Sequence, residues 1–210
     1  MTKRHATLRS LSPFVLALLA SGCASTKVVD SWADPQAGKL KFKKVLAIVV
    51  TKDGSLRRTA EDEICKNMRK VDCTRGYALL PGEEALDKEK AKAKIKEGGF
   101  DGVVVMRALP VGDSGITRAA GAERPQYYYS MWTYYDYWGV SWGVPYTVVD
   151  TSYTKTVTYI SLDTNVYRMS DEKLVWAGST QTKNPDSARQ VVKDVAEAVG
   201  RDLRAKGLLD

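Results

Sequence analysis

Lys44-Val45-Leu46-Ala47-Ile48-Val49-Val50 is the stretch that decides the fold. Its apolar residues run without a polar break. A strand with one wet face alternates in polarity. This one does not, so both of its faces must be covered, as at the centre of an α/β sheet. Asp53-Gly54-Ser55 interrupts the run. Leu56, Ala60, Ile64, Met68 and Val71 then recur at helical spacing, with Arg57, Arg58, Glu61, Asp62, Lys66 and Arg69 between them. That pattern predicts an amphipathic helix lying on the strand. Its charged residues are expected on a solvated face, linked by weak i,i+4 pairs.

Working outward, residues 76–80 are expected to form a second short strand, ended by Pro81-Gly82. Residues 84–97 offer two periods. Lys88, Lys90, Lys92, Lys94 and Lys96 alternate with Glu89, Ala91, Ala93, Ile95 and Glu97. Alternation suits a strand, but alanine, glutamate and lysine disfavour strands and favour helices. The segment is therefore predicted as a helix with Leu86, Ala91 and Ile95 inward and the lysines in solvent. Gly98-Gly99 stops it. Residues 102–109, with Val103, Val104, Val105 and Met106, predict a third buried strand. Two parallel crossovers of this kind are right-handed.

The pattern then changes. Residues 110–146 show no clear regular element. Residues 147–169 are rich in threonine, valine and tyrosine, and residues 173–182 follow after Ser170-Asp171-Glu172, which reads as a β-hairpin. Residues 187–206 predict a closing helix with Ala188, Val191, Val192, Val195, Val199 and Leu203 as its stripe, and a capping box at Ser187 and Gln190. The expected fold class is α/β. It is a single domain over residues 44–210 with a mixed sheet: β-α-β-α-β, then an antiparallel β-hairpin and a C-terminal helix. Its aromatic-rich loop is expected at 110–146.

The 210 residues are 44% hydrophobic and 27% charged, a globular composition with a formal charge of +7. Residues 1–22 read as a targeting segment. Lys3, Arg4 and Arg9 precede a short apolar run over residues 14–20, too short to cross a bilayer. Leu19-Ala20-Ser21-Gly22-Cys23 follows. Small residues directly before a cysteine resemble the lipobox of bacterial lipoproteins. That resemblance implies cleavage before Cys23, a diacylglycerol on its thiol and an acyl chain on its new amine. Ala24 and Ser25, in place of aspartate, imply the periplasmic face of the outer membrane. Residues 23–43 read as a lipidated tether with a short strand at 28–32. Lys39, Lys41, Lys43 and Lys44 either touch anionic headgroups or belong to a solvated linker. Cleavage leaves 29 basic and 25 acidic side chains, an excess too small to point to nucleic acid.

Few reactive side chains remain. The sole histidine, His5, lies in the expected signal, which excludes Ser-His-Asp and Cys-His catalysis, histidine metal sites and a histidine switch. Cys65 and Cys73 are expected late in the first helix and in the turn after it. They form either a disulfide in an oxidising compartment or two buried thiols. Residues 51–55 hold one glycine where a dinucleotide fingerprint needs three, and they lack a P-loop ending. The acids Glu61, Asp62, Glu63, Glu83 and Glu84 read as solvated. No cofactor, no metal and no catalytic residue is expected.

Residues 127–146 contain ten of the nineteen aromatic residues. Tyr127 and Tyr128 open the run. Tyr129, Trp132, Tyr134, Tyr135, Tyr137, Trp138, Trp142 and Tyr146 are the candidate contact residues. Three readings are open: a surface loop resting its rings on the domain, a recognition surface for a protein or a sugar ring, or shallow insertion at a membrane interface.

The element order resembles bacterial envelope domains: the amino-terminal α/β domain of the Tol-associated propeller protein, and the curli-secretion and penicillin-binding-protein-activator lipoproteins. Five short stretches make the chain similar also to a family of uncharacterised proteobacterial lipoproteins. They are Val29-Asp30-Ser31-Trp32, residues 44–50, Arg57-Arg58 with Glu61-Asp62, Phe100-Asp101-Gly102-Val103-Val104-Val105, and Leu174-Val175-Trp176-Ala177-Gly178. The resemblance implies a fold and a location, and no chemistry. The expected function is a lipid-anchored, non-enzymatic interaction or assembly module with an envelope protein partner. The alternative is a binding module for a cell-wall or surface glycan. The sequence does not indicate an oligomeric state.

Overall fold

The computed structural model describes residues 25–68, 70–82, 87–109, 130–141, 148–150 and 157–210. Seven strands form one mixed sheet: β1 (Ser25–Ala33), β2 (Lys44–Val50), β3 (Asp72–Arg75), β4 (Gly102–Ala108), β5 (Val148–Asp150), β6 (Val157–Arg168) and β7 (Lys173–Lys183). Among the described residues five helices accompany it: α1 (Gly54–Asn67), α2 (Gly76–Leu79), α3 (Lys88–Glu97), α4 (Met131–Ser141) and α5 (Ala188–Ala205). The strand order is β1-β7-β6-β4-β2-β3, and β5 pairs with the start of β6. β2 is parallel to β3 and β4, and the remaining pairs are antiparallel. This is the predicted α/β fold with its β-α-β-α-β core, hairpin and terminal helix.

β2 is buried on both faces, as its unbroken apolar run requires. Leu46, Ile48 and Val50 join α3 and α4 on one side. Val45, Ala47 and Val49 join α1 and α5 on the other. The first crossover runs from β2 to β3 and the second from β3 back past β2 to β4, in opposite directions across the sheet, so right-handedness sends their helices to opposite faces. Burying each large aliphatic side chain here contributes roughly 1.5–3 kcal/mol.

Several elements differ from expectation. The second strand is β3, earlier than predicted, and residues 76–79 are the short helix α2. Gly76 marks the change. A Cβ there would lie 2.9 Å from both the Ala47 carbonyl oxygen and Glu61 Oε1. β1 is a full edge strand paired with β7, not a brief strand within a tether. Ser187 Oγ accepts the Gln190 N–H at 3.2 Å, but the Gln190 amide donates forward to Asp194, so only half of the capping box forms.

Candidate functional site

The expected lipid site, Cys23, lies outside the described residues. The described residues begin at Ser25. Ser25 pairs with Lys183 of β7, which pairs with Tyr159 of β6. Thr26 and Thr182 share a hydroxyl hydrogen bond of 2.7 Å one row further in. The expected tether is therefore largely part of the domain. Residues 34–43 are held as well: Asp34 N–H donates to Val175 O at 3.0 Å, and Leu40 N–H to Leu208 O at 2.8 Å.

The lysines of this stretch do not form a loose linker. Lys39 pairs with Asp210. The Lys43 and Lys44 N–H groups donate to the Asp101 carboxylate, and Lys44 Nζ reaches the Gly98 carbonyl at 2.7 Å and the Phe100 ring at 5.1 Å. Strand directions place them at the opposite end of the sheet from Ser25.

Cys65 and Cys73 are bridged, with Cα atoms 5.2 Å apart. The bridge ties the last turn of α1 to β3, so Cys73 lies in a strand and not in the turn before it. Closing so short a loop adds about 2–3 kcal/mol.

The aromatic segment gives the main correction. Residues 131–141, expected as loop, form α4. Trp132, Tyr134 and Tyr135 are buried in the core with Met131, so these three present no open face to a ligand. The Tyr134 and Tyr167 rings stack with centroids 6.1 Å apart. Burial pushes the Tyr135 hydroxyl up to about 12, against the opposing pull of Arg57. Met131, Trp132 and Tyr135 recur at i, i+1 and i+4 with Thr133 and Asp136 exposed, which is a helical signal. Poor helix formers obscure it, and core burial outweighs their propensity. The side chains of Tyr137 and Trp138 lie outside the described residues although their backbone belongs to α4. Tyr129, Trp142 and Tyr146 lie outside them altogether.

α4 is held by α3 and by the β6–β7 turn. Lys88 Nζ bonds Asp136 at 2.6 Å, Lys92 Nζ lies 5.4 Å from the Trp132 centroid, and Lys96 Nζ meets Glu172 at 3.3 Å. Partial burial pushes the Glu172 carboxyl up, but the Trp132 indole beside it and the Lys96 and Lys92 ammonium groups hold it below its usual range. Residues 88, 92 and 96 are one helical stripe. The lysine run is thus a docking edge for α4, where solvent alone was expected.

The acids of α1 are also corrected. Glu61 is fully buried, and Arg57 and Glu63 nearly so. Glu61 accepts hydrogen bonds from Val49 N at 3.0 Å, Tyr77 N at 2.6 Å and Arg57 Nε at 3.0 Å. β3 stops opposite Ala47, so the carboxylate occupies the place of its missing continuation. The first turn of α2 supplies an orphan N–H to the same group. A second buried ion pair, Arg107–Asp163 at 3.6 Å, joins β4 and β6, with Ser179 Oγ donating to Asp163 at 2.7 Å. Both pairs are internal bracing of the sheet. Among the described residues no group of three or more His, Cys, Asp or Glu could hold a metal ion, and no helix is long and apolar enough to cross a membrane.

No protein-family model matches the chain, and no curated protein matches it. Among solved structures, the chain is similar to a PelC dodecamer from Paraburkholderia phytofirmans at 10% identity, over 90% of this chain and 99% of that one, with a TM-score of 0.39. A second PelC crystal form from the same organism gives 9% identity, 84% and 96% coverage, and 0.41. Lipoprotein GNA1162 from Neisseria meningitidis gives 12% identity, 78% and 99% coverage, and 0.38. At these values the likenesses are remote.

Proposed function

We propose that this chain is a lipid-anchored bacterial envelope protein whose α/β domain acts as a non-enzymatic interaction or assembly module. The observation carrying this reading is the lipobox-like Leu19-Ala20-Ser21-Gly22-Cys23, ending two residues before the first strand of the domain. The buried Arg57–Glu61 and Arg107–Asp163 pairs support the non-enzymatic part, since each carboxylate is committed to bracing the sheet. By the resemblance at Cys23, Ala24 and Ser25, the location is the periplasmic face of the outer membrane. The partner is an envelope protein, and Tyr129, Tyr137, Trp138, Trp142 and Tyr146 are the contact residues proposed for it. Burial of Trp132, Tyr134 and Tyr135 takes three rings from a sugar-stacking platform, which favours the protein-partner reading over the glycan one.

Deleting residues 127–146 would remove core side chains and unfold the domain. Photo-crosslinking amino acids placed singly at Tyr129, Trp142 and Tyr146 in cells avoid this. The expected result is one reproducible crosslinked envelope protein, which co-purifies with this chain when that protein carries the tag. Absence of any adduct from all three positions, with the domain folded, contradicts the interaction role.

A further inference from the structure

We propose that the domain rests on the bilayer through the sheet end that carries Ser25, Lys27 and Lys183, with residues 39–44 facing away from the membrane. The inference rests on the lipid anchor at Cys23 and goes beyond it by giving the domain an orientation.

The length of the leash carries the argument. Only Ala24 lies between Cys23 and the sheet, and two peptide links span at most about 7 Å. Ser25 itself is the first residue of β1, and β1 is paired with β7 from Ser25 to Ala33. A lipidated cysteine sits at headgroup level. Ser25 is therefore held within about 7 Å of it, and Lys183 and Tyr159 follow in the same row at about 4.8 Å per strand. A flexible tether would permit any orientation; this one does not.

Strand directions supply the rest. β1 and β6 run away from this row, while β7, β4 and β2 run toward it. From Tyr159 to Arg168, β6 covers about 30 Å at ~3.3 Å per residue. Arg168 pairs with Gly102, which pairs with Val45, so Lys43 and Lys44 lie beyond that far row. Their separation from the anchored row exceeds the screening length of about 8–10 Å several times over. Lys27 and Lys183 are exposed near the membrane end, within reach of anionic headgroups. The β5–β6 ladder continues past the Ser25 row to Asp150 and Val157, about 7 Å further toward the bilayer.

The test uses the full, lipidated chain reconstituted in phosphatidylethanolamine–phosphatidylglycerol vesicles with a headgroup nitroxide quencher. With Cys23 acylated and Cys65 bridged to Cys73, one introduced thiol is the only reactive one. A fluorophore at Lys183→Cys should be quenched several-fold more than the same fluorophore at Lys41→Cys. Equal quenching, or the reverse order, overturns the orientation. A flexible Gly/Ser insertion between Ala24 and Ser25 should abolish the difference, and a difference that survives it overturns the short leash as the cause. Protein recovered without lipid on Cys23 overturns the anchor reading, whereas equal quenching on lipidated, vesicle-bound protein overturns the orientation alone, which separates the two failures.

Discussion

The Glu61 carboxylate accepts the Val49 main-chain N–H at 3.0 Å where a longer β3 would have continued the parallel ladder. One side chain on α1 thus completes the sheet edge, caps α2 through Tyr77 and neutralises Arg57. Removing it leaves two orphan N–H groups and takes from the buried Arg57 guanidinium its carboxylate partner. Glu61→Ala is expected to cost about 3–5 kcal/mol, read as a lower urea midpoint with an unchanged slope. Gly76→Ala should cost about 1–3 kcal/mol, because the new methyl meets a carbonyl and this same carboxylate. A change below a few tenths of a kcal/mol in both variants contradicts the bracing role.

Burial pushes the Glu61 carboxyl above its usual range, with the Val49 hydrogen bond and Arg57 opposing. The sign follows from linkage. A group whose folded pKa is raised contributes stability that is present below its unfolded value and is lost as pH climbs through the folded one. A carboxyl carbon titration by NMR should therefore place Glu61 above the exposed glutamates. Glu61→Gln should remove the matching fall in stability across that window. A midpoint at or below that of the exposed glutamates refutes the argument.

Lys92 and Trp132 join α3 to α4, and their coupling is measurable. Lys92→Ala should cost about 0.5–1 kcal/mol and Trp132→Ala about 3–5 kcal/mol. In a double-mutant cycle the pair should be less than additive, because the lysine loses its partner when the indole is gone. Strict additivity would mean that the ammonium–ring contact contributes nothing.

The sheet was readable where burial is symmetric and local. Residues 45–50 and 103–106 carry unbroken apolar runs, which a strand covered on both faces explains. α5 was readable from Val191, Val195 and Val199. What was hidden depends on non-local partners. Glu61 looks like a surface acid because nothing near it in sequence shows that β3 stops at Arg75. α4 looks like loop because its residues are weak helix formers, and the partners that hold it, Tyr167, Lys88, Lys92 and Glu172 among them, are distant in the chain. The anchoring of residues 25–33 was hidden for the same reason, since the partner of β1 lies about 150 positions away in β7.

The proposed anchor rests on the sequence around Cys23 rather than on packing, and it is open to direct measurement. The tryptic peptide over residues 23–27 should be recovered from membranes beginning at Cys23, with a diacylglyceryl thioether and an acylated amine. Intact-mass spectrometry of the purified protein should show the same added mass, and Cys23→Ser should lose it. An amino terminus elsewhere than Cys23, or an unmodified Cys23 in the mature protein, would contradict the lipid anchor on which the proposed role depends.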